Sequence, residues 1–422
     1  MVGAGYVGLT TAACFASMGH DVSLAEIDER KVDLINSGIS PIFEKGLSEL
    51  ILDSVKKRRL RAMSDNIAAI IDRDFVFICL PTPQGSDGSV DTSMVYSVVR
   101  ELKDRLNSGS VLVSKSTMPI GSVKKIAEIV QRSDISIVSN PEFLREGSAV
   151  EDTLNCERVV IGATNVRDAE KVAQLYSSIG AEIVITDPQS AELIKYAANA
   201  FLATKVSFIN SIAVLCEYYE SDIGKVAHAM GTDSRIGNKF LKPGPGWGGS
   251  CFPKDTAALV YMADVAGFDF QLLKATIDSN KKHQFRIAQQ IIELLHDGMD
   301  RIVTVFGLTF KAGTNDVRDS PAIEVIKHLL LDGIKIKAYD PIAEHQQFTF
   351  DENKFERSET VLDATKSSDL IVVLSEWPEF SSLKPSMIAD SMRRHKIFDT
   401  RRVIAEKEWI EAGFDVKIIG KK

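Results

Sequence analysis

The stretch MVGAGYVGLTTAACFASMGHDVSLAEID, residues 1–28, carries Gly3, Gly5 and Gly8 at G-x-G-x-x-G spacing. Small and apolar residues follow at helical spacing to Met18, and Gly19 stops the helix. DVSLAEID then reads as a second strand ending in acid. Glycines, helix, strand and acid in this order are the fingerprint of a dinucleotide site. The first two glycines let the backbone approach a pyrophosphate. Gly8 lets the helix pack on the strand, and the helix N-terminus faces the phosphates. Glu26, which ends the apolar run, is the candidate for the adenosine ribose, with Asp28 as runner-up. A carboxylate there selects NAD over NADP, whose 2′-phosphate it repels. Only Met1 and Val2 precede the first glycine, where a strand of about five residues is expected. Either that strand is very short or the chain starts further upstream; the second is the expectation.

Outward from this stretch, strands alternate with helices. DFVFICLPTP (74–83) and SVLVSKSTMP (110–119) are apolar and run into Pro/Thr-rich loops, and ISIVSNPEFLREG (135–147) passes from strand to loop. RVVIGA and AEIVITD complete a doubly wound α/β domain over 1–187. Ligands of such sheets bind beyond the carboxyl ends of the strands, which puts Thr82, Thr117 and Glu142 on the ligand side. At Asp187-Pro188 the pattern changes. Asp suits a helix cap and Pro the first helical position, and no Gly or Pro interrupts the chain from 189 to about 220. One helix of roughly 30 residues, near 45 Å long, is predicted to link domains and carry a dimer interface within a helical segment over 188–296.

The remainder, 297–422, repeats the first pattern. RIVTVFGLTFK (301–311) is a strand with a glycine loop, a helix starts at Ser320-Pro321, and GIKIKAYDP (333–341) is a strand ending in Asp. SSDLIVVLSEWPEF (367–380) and HKIFDTRR (395–402) supply further strands and loops. The fold class is therefore α/β, with two Rossmann-like doubly wound domains joined by a long central helix and a helical middle domain. The second lacks the full glycine fingerprint and is expected to bind something other than a dinucleotide.

Composition sets bounds on these readings. Apolar content of 45% and charged content of 26% are those of a soluble globular chain. A net charge of −8 argues against nucleic-acid binding. No apolar run is expected to span a membrane. Cys14, Cys79, Cys156, Cys216 and Cys251 are scattered without metal-ligand or disulfide-framework spacing, which fits a reducing cytosol and no metal site. The first four lie in apolar patterns and read as packing residues. His228, His283 and His328 lack partners at ligand spacing and read as solvated or core. The basic run VKKRRLR (55–61) lies in a helical pattern and reads as a solvated face.

Cys251 stands apart from the other thiols. In GWGGSCFPKD (246–255) it lies just before a predicted helix N-terminus, with Pro253 fitting a first helical position. The positive end of a helix lowers a thiol pKa. Glycines at 244, 246, 248 and 249 would let a ligand approach backbone N–H groups. Alone, such a cysteine reads as an inert small residue. Beside an NAD site, its thiolate can add to an aldehyde, and the hemithioacetal can lose hydride to leave a thioester that water hydrolyses. Asp255 falls one helical turn on. Lys195 and Asn199, four apart in IKYAANAF, share a helix face, and the lysine could take an alcohol proton or hold an alkoxide. The plainer reading is an amphipathic lysine.

The motifs GAGYVG, STMPIGS, NPEFLREG, ELIKYAANAFLATKVSFINSI, RIGNKFLKPGPGWGGSCFPKD and GLTFKAGTNDVRDSP occur in the order found in the UDP-glucose/GDP-mannose dehydrogenase family, which the chain resembles over its whole length. The resemblance implies oxidation of a nucleotide-sugar C6 alcohol to a carboxylate in two hydride transfers to two NAD⁺. It implies that Cys251 is the catalytic cysteine and that Lys195 and Asn199 flank the reacting oxygen. Asp255 would order water with that lysine, while Thr117 and Glu142 would handle water and thioester hydrolysis. Gly3, Gly5, Tyr6, Val7, Gly8, Glu26, Lys31, Thr82, Glu146, Lys254 and Arg318 match cofactor contacts. Glu142, Phe143, Leu144, Lys195, Asn199, Phe240, Leu241, Lys242, Gly244, Gly248 and Lys311 match contacts to the nucleotide sugar. Arg235 matches an arginine reaching a sugar in a partner subunit, so a homodimer is implied, and Arg402 resembles another substrate-side arginine.

The motifs look most like the branch acting on UDP-glucose; the alternative is GDP-mannose or a UDP-N-acetyl sugar by the same chemistry. A two-electron hydroxyacid dehydrogenase would need neither the cysteine nor a second Rossmann-like domain, and a sensor of NAD or nucleotide sugar would need no nucleophile. A cytoplasmic enzyme with no nucleic-acid or membrane partner is the expectation.

Overall fold

The computed structural model describes residues 1–295, 301–343 and 350–422. The chain divides into two compact units. One holds Met1–Ala198 with Ala257–Phe268, the other Asn199–Thr256 with Asp269–Lys422. The expected boundary at 296/297 lies outside the described residues.

The first unit contains strands β1 (Val22–Ala25), β2 (Leu60–Met63), β3 (Phe75–Ile78), β4 (Val111–Ser114), β5 (Ser136–Ser139), β6 (Arg158–Ala163) and β7 (Glu182–Thr186). β1 pairs with β2, and β3 to β7 run in chain order, with β6 antiparallel to β5 and the other pairs parallel. Val2 closes the gap between the two groups by bridging Ala25 and Ile78. Its N–H donates to Phe77 O at 2.8 Å and its carbonyl accepts from Cys79 N at 2.9 Å. The central strand is thus present at its smallest extent, one bridge on each side. Helix Tyr6–Ser17 packs on this sheet through Leu9, Ala12, Ala13 and Phe15, the last in edge contact with Phe77 and Tyr176. A fully buried Leu or Phe contributes about 1.5–3 kcal/mol, so this one face anchors the glycine turn.

The second unit contains β8 (Ile302–Phe306), β9 (Lys335–Tyr339), β10 (Phe355–Arg357), β11 (Leu370–Val373), β12 (Lys396–Asp399) and β13 (Asp415–Ile418). All are parallel, in the order β10-β9-β8-β11-β12-β13, a doubly wound Rossmann order. Ser320 caps helix Pro321–Leu331 through the Ala322 amide, with Pro321 at the first position as expected. Asp340, two per cent exposed at the end of β9, takes the place of the ribose-reading acid. Its Oδ2 accepts from Leu308 N at 2.7 Å, Thr309 N at 3.1 Å, Thr309 Oγ1 at 3.1 Å and Trp377 Nε1 at 3.2 Å. The strand-end carboxylate is therefore taken up by the loop after β8 and by Trp377 after β11.

The long helix is Pro188–Tyr218, 31 residues, begun by Asp187, whose carboxylate takes the Ser190 amide at 2.8 Å and hydroxyl at 2.6 Å. Contrary to expectation, its length and composition suffice to cross a membrane, with mean hydropathy 1.4 over its most apolar window. Glu192, Lys195 and Asn199 are nonetheless buried with polar partners in the protein, as in the core helix of a globular chain. The basic run also departs from expectation. Helix Leu47–Lys56 ends inside it, Arg58 turns the chain at φ +56°, and β2 starts at Leu60. Its charges are exposed, as the solvated reading required.

Candidate active site

In the first unit the glycine turn meets two different demands. Gly3 has φ +99°, and a Cβ there would lie 2.7 Å from Cys79 O; a Cβ on Gly8 would lie 1.9 Å from Gly3 O. Both are imposed by close backbone approach within the protein. Nothing stands within 4 Å of a Cβ on Gly5, which precedes helix Tyr6–Ser17 without capping it by any side chain. Open space before uncapped helix amides fits a diphosphate. Glu26, at the end of β1, accepts from Asp28 N at 3.1 Å and has Lys31 Nζ at 4.0 Å. Asp28 is spent capping helix Glu29–Asn36 through the Arg30 amide, so the geometry favours Glu26 as the ribose acid.

Two loops beyond the strand ends are tied to the first turns of the long helix. Glu192 Oε2 accepts from Gly121 N at 2.5 Å and Oε1 from Val123 N at 2.8 Å, which anchors the loop carrying Thr117. Burial pushes the Glu192 carboxyl above its ordinary pKa, against the pull of these amides. Thr82 Oγ1 donates to the Thr117 carbonyl at 2.9 Å. Three residues after Glu192, Lys195 Nζ meets Glu142 Oε1 at 2.9 Å, with both side chains buried. Burial works to raise the Glu142 pKa, but the Lys195 ammonium and the Leu144 amide hold it below the usual carboxylate range. Phe143 lies under both Arg158, 4.3 Å from its centroid, and Lys195, at 5.5 Å. Leu144 and Glu146 are half-buried on the same loop. The Tyr6 hydroxyl donates to Glu44, a residue no sequence signal singled out.

In the second unit Cys251 stands immediately before helix Phe252–Val265, which starts one residue before the expected Pro253, and its carbonyl accepts from Asp255 N at 2.9 Å. The thiol is half-buried, 3.7 Å from Ser250 Oγ. Asp255, one per cent exposed, accepts from Asn199 Nδ2 at 2.6 Å and from Lys254 Nζ at 2.6 Å. The spacing of Asp255 from Cys251 was legible; its pairing with Asn199 and Lys254 was not.

The glycine loop differs from expectation. A Cβ would lie 1.9 Å from Asp319 O at Gly248, 2.9 Å from the Phe310 ring at Gly249 and 2.8 Å from Asn280 Oδ1 at Gly246. Protein atoms fill the space that these three glycines were expected to leave for a ligand. Backbone groups of the loop are taken as well. Asn280 bonds both N and O of Trp247, Asn210 accepts from Gly244 N, and buried His283 meets Gly244 O at 2.8 Å. His283 is thus a core residue, while His228 is exposed and His328 packs edge-on to Phe285.

The other expected substrate residues, and the expected cofactor contact Arg318, lie in this unit. Phe240, at φ +64°, faces Phe252 at 6.3 Å, Leu241 is buried in the helical core, and Lys242 is exposed. Lys311 Nζ lies 5.6 Å from the Phe310 ring, Arg318 pairs with Asp316, and the exposed Arg235 pairs with Asp233. Arg402 bonds Asp222 at 2.8 Å and Ile419 O at 3.0 Å. Its neighbour Arg401 runs along the glycine loop instead, its guanidinium 3.0 Å from where a Gly244 Cβ would stand. Among the described residues no cluster of His, Cys, Asp or Glu could hold a metal. None of the five cysteines is in a disulfide.

A glycine turn open before uncapped helix amides, on the first of two Rossmann units, is the architecture of a nucleotide-dependent oxidoreductase. Residues 1–180 match the NAD binding domain of the UDP-glucose/GDP-mannose dehydrogenase family, 189–282 its central domain and 304–406 its UDP binding domain. The chain belongs to this family, and its cofactor is NAD. It is 40% identical to UDP-glucose 6-dehydrogenase TuaD of Bacillus subtilis (strain 168), covering 100% of this chain and 92% of that one. The UDP-glucose 6-dehydrogenase of Rickettsia bellii is 39% identical, with 100% and 99% covered. Among solved structures, a UDP-glucose dehydrogenase from Pyrobaculum islandicum aligns with TM-score 0.89 at 33% identity, over 99% of this chain and 95% of that one. A UDP-D-ManNAc dehydrogenase from Pyrococcus horikoshii aligns at 0.87 and 26%, over 100% and 98%.

Proposed function

We propose that the chain oxidises UDP-glucose to UDP-glucuronate in two NAD-dependent steps through a thioester on Cys251. The observation that carries this reading is the thiol at a helix start, one turn before a buried aspartate, in a chain with an NAD domain. A two-electron alcohol dehydrogenase has no use for that thiol. The full-length relatives at about 40% identity favour UDP-glucose over a UDP-N-acetyl sugar.

NAD⁺ supplies the hydride acceptor, one molecule per step. Lys195 and Asn199 hold the C6 oxygen, and Lys195 stabilises it as its proton leaves. The Cys251 thiolate, favoured by the helix N-terminus, adds to the aldehyde carbon and forms a C–S bond. Loss of the second hydride from the hemithioacetal leaves a thioester. Glu142 and Thr117 order the water whose attack breaks the C–S bond and returns the thiol, with Asp255 and Lys195 fixing that water. Gly3, Gly5, Tyr6, Val7, Gly8, Glu26, Lys31, Thr82, Glu146, Lys254 and Arg318 hold the cofactor. Phe143, Leu144, Phe240, Leu241, Lys242, Lys311 and Arg402 hold the nucleotide sugar.

The division into 1–187, 188–296 and 297–422 is supported by the three family segments. A homodimer is supported by Phe201, Phe208 and Leu215, exposed at seven-residue spacing on the long helix, with Arg235 serving the partner's sugar. We place the enzyme in the cytoplasm. The test is NADH yield with UDP-glucose limiting and NAD⁺ in excess. Two NADH per sugar are expected; one would leave an aldehyde as product and remove the thioester role, and none would transfer the proposal to GDP-mannose or a UDP-N-acetyl sugar.

A further inference from the structure

Glu44 is seven per cent exposed and lies in the connection before helix Leu47–Lys56. Its Oε2 accepts from the Tyr6 hydroxyl and from Gly147 N at 2.8 Å, and its Oε1 accepts from Ala149 N at 2.8 Å. Gly147 N is also 2.7 Å from the Tyr6 hydroxyl. One carboxylate thus gathers donors from two distant segments. Tyr6 opens the helix of the glycine turn. Gly147 and Ala149 end the loop that carries Glu142 and Glu146. At its other end that loop is tied by Lys195 to Glu142, and its middle by Arg145 to Asp152 at 2.5 Å.

We propose that Glu44 is a positioning residue that sets the register of the 141–148 loop against the glycine turn, so that the cofactor seat and the hydrolytic loop form one unit. The proposal rests on the reading that the turn takes NAD and that Glu142 acts on the thioester. The chemistry requires a carboxylate. Both oxygens accept, and at least three donors converge on them. A glutamine keeps the length but turns an NH₂ toward one backbone N–H, which leaves a buried donor facing a donor. The Tyr6 hydroxyl transmits the constraint, because it touches both Glu44 and Gly147.

The experiment compares wild type, Glu44→Gln, Tyr6→Phe and the double variant as full-length enzyme. NAD⁺ binding is read by isothermal titration without sugar. The fraction of Cys251 acylated during turnover is read by acid quench and mass spectrometry. Glu44→Gln should weaken NAD⁺ binding about tenfold, the loss typical of one hydrogen bond to a charged group. It should also raise the acylated fraction, since a displaced Glu142 slows hydrolysis more than oxidation. Tyr6→Phe should move both readouts the same way by less, and the double variant should fall short of the product of the two singles. If Glu44→Gln lowers only the melting temperature, with NAD⁺ affinity and acylated fraction as in wild type, Glu44 merely caps helix Ala149–Leu154 and the proposal fails. Should Glu44→Gln not fold, Tyr6→Phe decides by the acylated fraction, which a cofactor contact alone would not raise; an acylated fraction as in wild type would then overturn the proposal. One NADH per sugar from wild type would remove the thioester reading alone, and the NAD⁺ titration would still decide for or against Glu44.

Discussion

Lys195 Nζ and Glu142 Oε1 are 2.9 Å apart, on a helix and a loop brought together from 53 residues apart, and both side chains are buried. Such a pair is costly to split, because removing one partner strands the other charge out of water. Lys195→Met should destabilise the protein by about 3–5 kcal/mol and abolish turnover. Thermal unfolding at neutral pH measures the first effect. A melting temperature equal to wild type would mean that Glu142 does not depend on Lys195.

The same pair sets an acid limit. The Glu142 carboxyl is held below its ordinary pKa, chiefly by Lys195 overcoming burial. A depressed carboxylate adds stability above its unfolded pKa, and that contribution is lost as pH falls through the folded value. Glu142→Gln should therefore flatten the loss of stability below about pH 4.3, the ordinary Glu value. Denaturant titrations of both proteins across pH 3–6 would reveal it; parallel curves would contradict the assignment.

Thiol reactivity should single out one cysteine. Burial pushes Cys14 up to about 12 and Cys79 up to about 11, and raises Cys156 less far. Cys251 is half-buried at a helix start. Iodoacetamide at pH 8 should alkylate Cys251 before Cys14 and Cys79, with activity falling in step, as peptide mapping would record. Labelling of Cys14 first would overturn the reactive-thiol reading.

Cys251→Ser should bind UDP-glucose as wild type does and make no acid. Equilibrium titration and product analysis separate the two. Acid formed at the wild-type rate would exclude a covalent role.

Gly248→Ala should cost stability and rate together. Its Cβ would sit 1.9 Å from the Asp319 carbonyl, a rigid obstacle, so the loop leading to Cys251 must shift. Overpacking of this kind costs about 1–3 kcal/mol. A fully active, fully stable variant would show that the loop yields without consequence.

Much of this was legible in the sequence because it rests on local signals. The glycine turn, the caps at Asp187 and Ser320, and the position of Cys251 before its helix each depend on a few adjacent residues. Partners set by the fold were not legible. Glu44 reaches Tyr6 and Ala149 across 38 and 105 residues, and Asn199 reaches Asp255 across 56. The glycines at 246, 248 and 249 advertise freedom of the backbone, yet their space belongs to Asn280, Asp319 and Phe310, which no spacing rule connects to them. The strand β2 was hidden because the basic run continues the helical pattern past the turn at Arg58.

Asp340 separates two halves that share an architecture. Because its carboxylate is occupied by Leu308, Thr309 and Trp377, the β9 end offers no acceptor to an adenosine ribose. Reduced cofactor that builds up during turnover is then expected back at the glycine turn of the first unit. NADH should therefore inhibit as a competitor of NAD⁺, with an inhibition constant that raising the sugar nucleotide leaves unchanged.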